Sequence, residues 1–101
     1  MTASDSNTHS DIFINIKLPD AAKLKNLAVS ESGFIFDPTT GHSFSVNETG
    51  LVILQLLQKD NNLKQIQTTL LNDYLVDKTK LERDLIEFVG VLRKRIQEPT
   101  T

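Results

Sequence analysis

Hydrophobic and polar residues alternate along two stretches near the middle of the chain, FIF (34–36) and HSFSV (42–46). Strict alternation is typical of a strand, because successive side chains of a strand point to opposite faces of the sheet. The residues between the two stretches, DPTTG (37–41), favour a tight turn, since proline fixes φ and glycine adopts a left-handed conformation at low cost. The pattern therefore predicts a β-hairpin with one apolar face, which carries Phe44 and Val46.

Apolar residues then recur every three or four positions in three successive segments, as on one face of an α-helix. The first helix is predicted over 48–59, with Asn47 as its N-cap. The second opens at Asn62, which forms a capping-box sequence with Gln65, and the third opens after Asp77. The predicted core stripe of the third helix consists of Leu81, Leu85, Phe88, Leu92 and Ile96.

The N-terminal 30 residues divide into a polar segment, an alternating segment and two short predicted elements. Residues 1–10 are polar and rich in Ser, Thr and Asn, which predicts a disordered tail. Residues 11–20 alternate up to their proline, which predicts either an extra strand of the sheet or an arm that packs on a neighbouring molecule. A helical turn is predicted at 21–25 and a short strand at 27–30. The folded domain is predicted to span residues 21–97.

Composition narrows the class of protein. A length of 101 residues and a hydrophobic content of 39% predict one compact domain. The sequence contains no cysteine, which excludes disulfides, thiolate metal sites and cysteine nucleophiles. It has neither a secretion signal nor an apolar run near the ~20 residues that a bilayer span needs, so we expect a cytoplasmic protein without a membrane partner. A formal net charge of -2 argues against a polyanion as the main partner.

Residues that would carry catalysis are scattered along the chain. His9 lies in the predicted tail and His42 at a strand start, which disfavours a two-histidine metal site. The acids of the third helix alternate with cations at i+3 and i+4 spacings, which is typical of a solvated face. These acids are Glu82, Asp84 and Glu87, and the cations are Lys80 and Arg83. The glycines form no phosphate-binding motif, so we predict no catalytic residue, no metal site and no cofactor.

One flank of the third helix, beside its core stripe, is partly apolar. At about 100° per residue, Val89 falls next to the stripe and Ile86 further round, with Gly90 and Arg93 near them. A glycine in the middle of a helix costs roughly 1 kcal/mol relative to alanine. Gly90 is therefore either a tolerated defect or a place where another backbone approaches.

Several motifs carry a resemblance to a known family. They are GFIFDPTTG (33–41), FSVNETG (44–50), Ile66, YLVD (74–77) and LERD (81–84). In these motifs the sequence resembles the PqqD-like family, the peptide-binding modules called RiPP recognition elements, over about residues 27–96. The resemblance implies an α+β, winged-helix-like domain, in which a three-stranded antiparallel sheet is followed by three helices. It also implies that the domain has no catalytic activity or cofactor of its own.

The resemblance implies a function as well. Members of the family hold the leader of a ribosomally made precursor peptide and present it to a modifying enzyme, often of radical-SAM or ATP-grasp type. The leader adds a strand to the third strand of the sheet and lies against the third helix. Transferred to this sequence, the peptide-binding residues are His42, Ser43, Phe44, Ser45 and Val46 on the strand, and Ile86, Val89, Gly90 and Arg93 on the helix.

The predicted third strand is suited to this mode of binding, because strand addition needs an edge with free N–H and C=O groups. Residues 42–46 contain no lysine and no proline, the residues that commonly block an exposed edge. The alternative is that the N-terminal arm or the first strand already covers this edge. The alternating segment 11–18 departs from the family member of the pyrroloquinoline quinone pathway, so a relative that serves another peptide pathway is an equally good hypothesis.

Two other functions stay open at this point. A helix-turn-helix would place the third helix in a DNA major groove, and residues 78–95 carry six cations against three acids. These acids lie in the half of the helix that would approach phosphates, which disfavours nucleic acid as a partner. The other alternative is a structural module, in which the arm 11–18 is exchanged between the protomers of a homodimer.

Overall fold

The computed structural model describes residues 12–13 and 15–97. Their elements, in chain order, are α1 (Ala21–Lys25), β1 (Ala28–Val29), β2 (Phe34–Asp37), β3 (His42–Ser45), α2 (Glu48–Gln58), α3 (Leu63–Asp73) and α4 (Lys78–Gln97). The strands form one antiparallel sheet in the order β1-β2-β3, and the three longer helices follow it. This arrangement confirms the predicted α+β fold.

The predicted helix caps are all present. A side-chain oxygen of Asn47 accepts a hydrogen bond from the N–H three residues on at 2.8 Å. Asn62 and Gln65 each accept from the other's backbone N–H at 2.8 Å, which completes the capping box. The carboxylate of Asp77 accepts from the N–H three residues on at 2.8 Å. Each of the three longer helices therefore begins where the sequence predicts it.

The hairpin turn also forms where the sequence predicts it. The N–H of Gly41 donates to the carbonyl of Asp37 at 2.7 Å, and a carboxylate oxygen of Asp37 accepts from the N–H of Thr39 at 2.9 Å. Gly41 has a φ of +80°, the left-handed conformation expected of it. The turn sets the register of the hairpin, in which Ile35 lies opposite Phe44.

Gly33 lies at the other end of the hairpin, where its φ is +92° and an added Cβ would collide with the carbonyl oxygen of Val46. Replacing Gly33 with alanine is expected to lower the free energy of unfolding by about 2 kcal/mol or more. A left-handed non-glycine residue costs ~1–2 kcal/mol, and the collision adds to this cost. Thermal unfolding followed by circular dichroism measures the effect.

Gly41→Ala is the matched control for this substitution. Gly41 also has a positive φ, but an added Cβ there would have no described atom within 4 Å beyond Gly41 and its two chain neighbours. Gly41→Ala should therefore show the conformational cost alone. Equal destabilisation by the two substitutions would contradict the collision with Val46.

The core lies between the inner face of the sheet and the helices. Its most completely buried side chains are Ile35, Leu54, Ile66, Leu70, Leu85, Val89 and Leu92. Because side chains alternate along a strand, burial of Ile35 sends Phe34 and Phe36 to the outer face, where they are 51% and 41% exposed. The prediction of a hairpin with one apolar face is therefore wrong, since both faces carry large apolar side chains.

The stripe that α4 buries differs by one residue from the predicted stripe. Val89 lies in the core with 1% of its surface exposed, whereas Phe88 is only half-buried. Both residues satisfy helical spacing, because Leu85 precedes Phe88 by three positions and Val89 by four. Burial of Val89 turns Phe88 toward β3 and turns the flank that contains Ile86 away from it.

The segment before α1 forms a turn in its described residues. The N–H of Ile16 donates to the carbonyl of Phe13 at 3.0 Å, and no strand is assigned to residues 12–13 or 15–20. Phe13 packs into the core of its own chain, whereas Ile12 of the alternating pattern is exposed. The predicted tail, residues 1–10, lies outside the described residues.

Candidate functional site

Strand β3 lies at one edge of the sheet. It pairs with β2 on one side, and within the described part of the chain no strand pairs with its other side. Strand β1 lies at the opposite edge, and residues 15–17 of the N-terminal arm lie beside the far flank of α4. Neither alternative occupant predicted from the sequence covers β3 in the described residues.

The hydrogen-bond ladder identifies which groups of β3 face this open side. The N–H of Val46 donates to the carbonyl of Gly33 at 2.9 Å, and the register of the hairpin places these two residues opposite each other. Pairs with and without hydrogen bonds alternate along an antiparallel ladder, so Phe44 also directs its main chain toward β2. Ser43 and Ser45 therefore direct their N–H and C=O groups toward the open side.

A groove of about 850 Å³ lies beside these residues. Residues 43–46 form one wall, α4 forms the other, and Thr49 and Gly50 contribute from the first turn of α2. The wall on α4 consists of Lys80, Asp84, Glu87, Phe88, Val91, Leu92 and Arg95. A strand with an open edge and a helix with accessible side chains thus lie side by side, as strand addition with side-chain specificity requires.

The middle of the groove is apolar. Phe44 and Phe88 are half-buried, and Val91 is 54% exposed. The ring of Phe88 lies against the first turn of α2, where its Cε1 is 3.0 Å from the position of a Cβ on Gly50. These side chains keep apolar surface that a ligand can remove from water, which is the main source of affinity in most protein sites.

Charged groups surround this apolar middle. The ammonium group of Lys80 pairs with the carboxylate of Asp84 at 3.3 Å, one helical turn on. Glu87 makes no ion pair with any residue that the structure describes. The guanidinium of Arg95 lies over the ring of Phe44, 5.7 Å from its centroid, in cation–π geometry. The groove therefore presents both a carboxylate and a guanidinium to a ligand.

The structure brings together only part of the predicted peptide-binding residues. Strand residues 43–46 line the groove, and His42 begins the same edge. The predicted residues of the helix do not reach this groove. Those residues, Ile86, Val89, Gly90 and Arg93, lie on the far flank of α4 beside a cavity of about 360 Å³. Residues 15–17 line the same cavity. The predicted strand residues therefore lie beside one flank of α4, and the predicted helix residues lie on the other.

The one-residue difference in the core stripe of α4 explains this result. With Val89 in the core, a spacing of about 100° per residue places Phe88 and Val91 on the flank that faces β3. The sequence pattern placed Phe88 in the core, and neither Val91 nor Arg95 was predicted to bind a peptide. The signal that would have found them is the apolar pair three positions apart, with a cation four positions further along the same flank.

Two other interpretations of α4 change as well. Apart from its chain neighbours and the backbone of its own helix, a Cβ on Gly90 would have no atom of the described residues within 4 Å, so no backbone of another element approaches it there. The carboxylate of Glu82 accepts a hydrogen bond at 2.8 Å from the side-chain amide of Gln67, which is buried. Glu82 therefore links α4 to α3, and only the pair of Lys80 and Asp84 shows the predicted i,i+4 contact on a solvated face.

Neither a metal cluster nor a membrane-spanning helix is found in residues 12–13 and 15–97. No group of three or more His, Cys, Asp or Glu side chains there is placed to hold a metal ion. No helix in the same residues is long and apolar enough to cross a membrane.

Comparison with known proteins gives two matches. The model of the family of coenzyme PQQ synthesis protein D (PqqD) matches residues 33–95. A solved structure, lasso peptide synthetase B1 complexed with the leader peptide, is similar with a TM-score of 0.60 and 25% sequence identity, over 69% of this chain and 84% of that chain. No curated protein sequence matches this one. The family match includes β2, β3 and most of α4, and so contains both walls of the groove.

Proposed function

This chain belongs to the PqqD family, and from that premise we propose that it binds the leader of a ribosomally made precursor peptide and presents it to a modifying enzyme. The proposal includes no catalytic step within the chain and no cofactor. One observation carries it, which is that the open main chain of β3 lies beside a groove with an apolar middle. The complex of lasso peptide synthetase B1 with a leader peptide supports it.

Strand addition explains how a small domain holds a flexible peptide. The N–H and C=O groups of Ser43 and Ser45 pair with the main chain of the peptide, which gives affinity that is independent of sequence. Alternate side chains of the added strand point into the groove, where Phe88 and Val91 cover apolar ones. The peptide loses conformational entropy when it becomes ordered, and this loss keeps the affinity moderate.

The partner enzyme in this proposal is of radical-SAM or ATP-grasp type, in pyrroloquinoline quinone biosynthesis or in another peptide pathway. Because the peptide lies at an edge of the sheet, its flanking residues leave the domain at both ends of β3 and extend to the enzyme. A homodimer through the N-terminal arm stays a separate hypothesis. Deletion of residues 1–19 followed by measurement of mass in solution tests it.

An amide chemical-shift titration tests the proposed function. Isotopically labelled full-length chain is titrated with synthetic leader segments of candidate precursor peptides at low and high salt, with scrambled segments as controls. We expect shifts concentrated on residues 42–46, Phe88 and Val91 that persist at high salt, because main-chain hydrogen bonds and apolar contacts are weakly screened. Absence of shifts on both walls, with DNA instead perturbing residues 78–83, would overturn the proposal in favour of nucleic acid.

A further inference from the structure

The charges of the groove are ordered along its length. Arg95 lies over Phe44, in the middle of β3. Phe88, two turns earlier in α4, lies together with Val46 around the first turn of α2, beyond the end of β3. Helix α4 therefore runs opposite to β3 along the groove. Arg95 makes the groove positive beside the middle of β3. Glu87 makes it negative beside the end of that strand.

These two charges are the ones available to a ligand. Lys80 and Asp84 already compensate each other at 3.3 Å. Neither Glu87 nor Arg95 forms an ion pair with another described residue, and both line the groove. Each of them can therefore pair with an opposite charge on the peptide without giving up an ion pair to another described residue.

The sheet fixes the direction in which a peptide meets these charges. Both strand pairs of the sheet are antiparallel, and antiparallel pairs are the more stable kind, so an added strand is expected to run opposite to β3. Such a strand enters beside Glu87 and leaves beside Arg95. The two residues lie ~12 Å apart along the helix axis, a distance that about four residues of a strand span.

Resting on the proposed function, we infer that the groove recognises the order of charges in the leader. The preferred segment has a lysine or arginine, then about three residues rich in apolar side chains, then an aspartate or glutamate, in the direction from N to C terminus, so that both charged side chains point into the groove. The cation lies against Glu87, the apolar residues against Phe88 and Val91, and the anion against Arg95. Because both charges are solvent-accessible, the expected preference over the reversed order is about tenfold.

Selection from a displayed library of random twelve-residue peptides on the immobilised full-length chain tests the inference. We expect enriched peptides to carry a cation before and an anion after the apolar stretch. The double substitution Glu87→Lys with Arg95→Glu should enrich the opposite order, and the neutral pair Glu87→Gln with Arg95→Gln should enrich neither. The neutral pair keeps the test decisive if the charge reversal impairs folding.

The matched control is Glu31→Lys with Lys94→Glu, which makes the same two charge changes at exposed positions outside the groove. Lys94 shares the last turn of α4 with Arg95, so this control also reproduces the effect on the helix dipole. Enriched peptides without charge order, or an order that survives the double reversal, would overturn the inference and leave the proposed function standing. No enrichment, or enriched peptides that bind Ser45→Pro equally well, would overturn both.

Discussion

Replacement of Ser45 by proline is expected to weaken binding of leader peptides by about tenfold or more while the domain stays folded. The N–H of Ser45 faces the open side of β3, so its loss removes a hydrogen bond to the peptide and none to β2. The proline ring also occupies the space that an added strand needs, and proline is tolerated on an edge strand. Fluorescence anisotropy of a labelled leader peptide measures the affinity.

Two controls isolate the main-chain contribution. Ser45→Ala keeps the N–H and should bind the peptide as the unsubstituted chain does. Phe44→Pro removes an N–H that faces β2 and should lower the thermal midpoint, because it breaks the sheet itself. Unchanged affinity of a folded Ser45→Pro variant would contradict strand addition at β3, even if the peptide binds elsewhere on the domain.

Replacement of Val89 by aspartate is expected to unfold the domain. Val89 is 1% exposed, so the substitution buries a carboxylate without a partner and removes apolar contacts from the core. The expected loss is at least about 4 kcal/mol, which is a large part of the 5–15 kcal/mol that holds a typical domain together. Loss of the cooperative thermal transition in circular dichroism is the expected result.

The same substitution two residues along the helix provides the control. Val91 is 54% exposed and lines the groove, so Val91→Asp should leave the thermal midpoint within a few degrees. It should weaken leader binding by about tenfold, since it places a charge in the apolar middle of the groove. A folded Val89→Asp variant that fails to bind peptide would contradict the position of Val89 in the core and restore the wall predicted from the sequence.

Features that depend on neighbouring residues were predicted well. The caps at Asn47, Asn62 and Asp77 and the turn at 37–41 each consist of a short segment that satisfies its own hydrogen bonds. Such segments need little from the rest of the fold to adopt their conformation. The order of strands and helices follows from them, whereas the position of β3 at an edge was an expectation from the family resemblance.

Features that depend on packing between distant elements were not predicted. Helical spacing allows either Phe88 or Val89 in the core stripe, and only the shape of the space between sheet and helices selects Val89. That choice rotates α4 and decides which of its flanks faces β3. The strand half of the candidate site could thus be expected from the family resemblance, whereas the helical half required the rotation of α4.

The alternating N-terminal segment also differs from its predicted structure. Alternation of apolar and polar residues is compatible with a strand but does not require one, even where an edge of the sheet is open. Here the described residues form a turn. Phe13 packs into the core, although the alternation places it on the face opposite to the isoleucines. Burial of one large aromatic side chain outweighs a weak periodic preference in so short a segment.

The strand addition proposed above would also change the outer face of the sheet. Phe34 and Phe36 are exposed on that face, and Ser43 and Ser45 of β3 lie beside them. Half of the side chains of any strand added to β3 point to the same face, because side chains alternate along a strand. In the proposed complex, a protein that docked on this face would contact side chains of both the domain and the peptide. This combined surface would distinguish the loaded domain from the empty one without any movement of the fold.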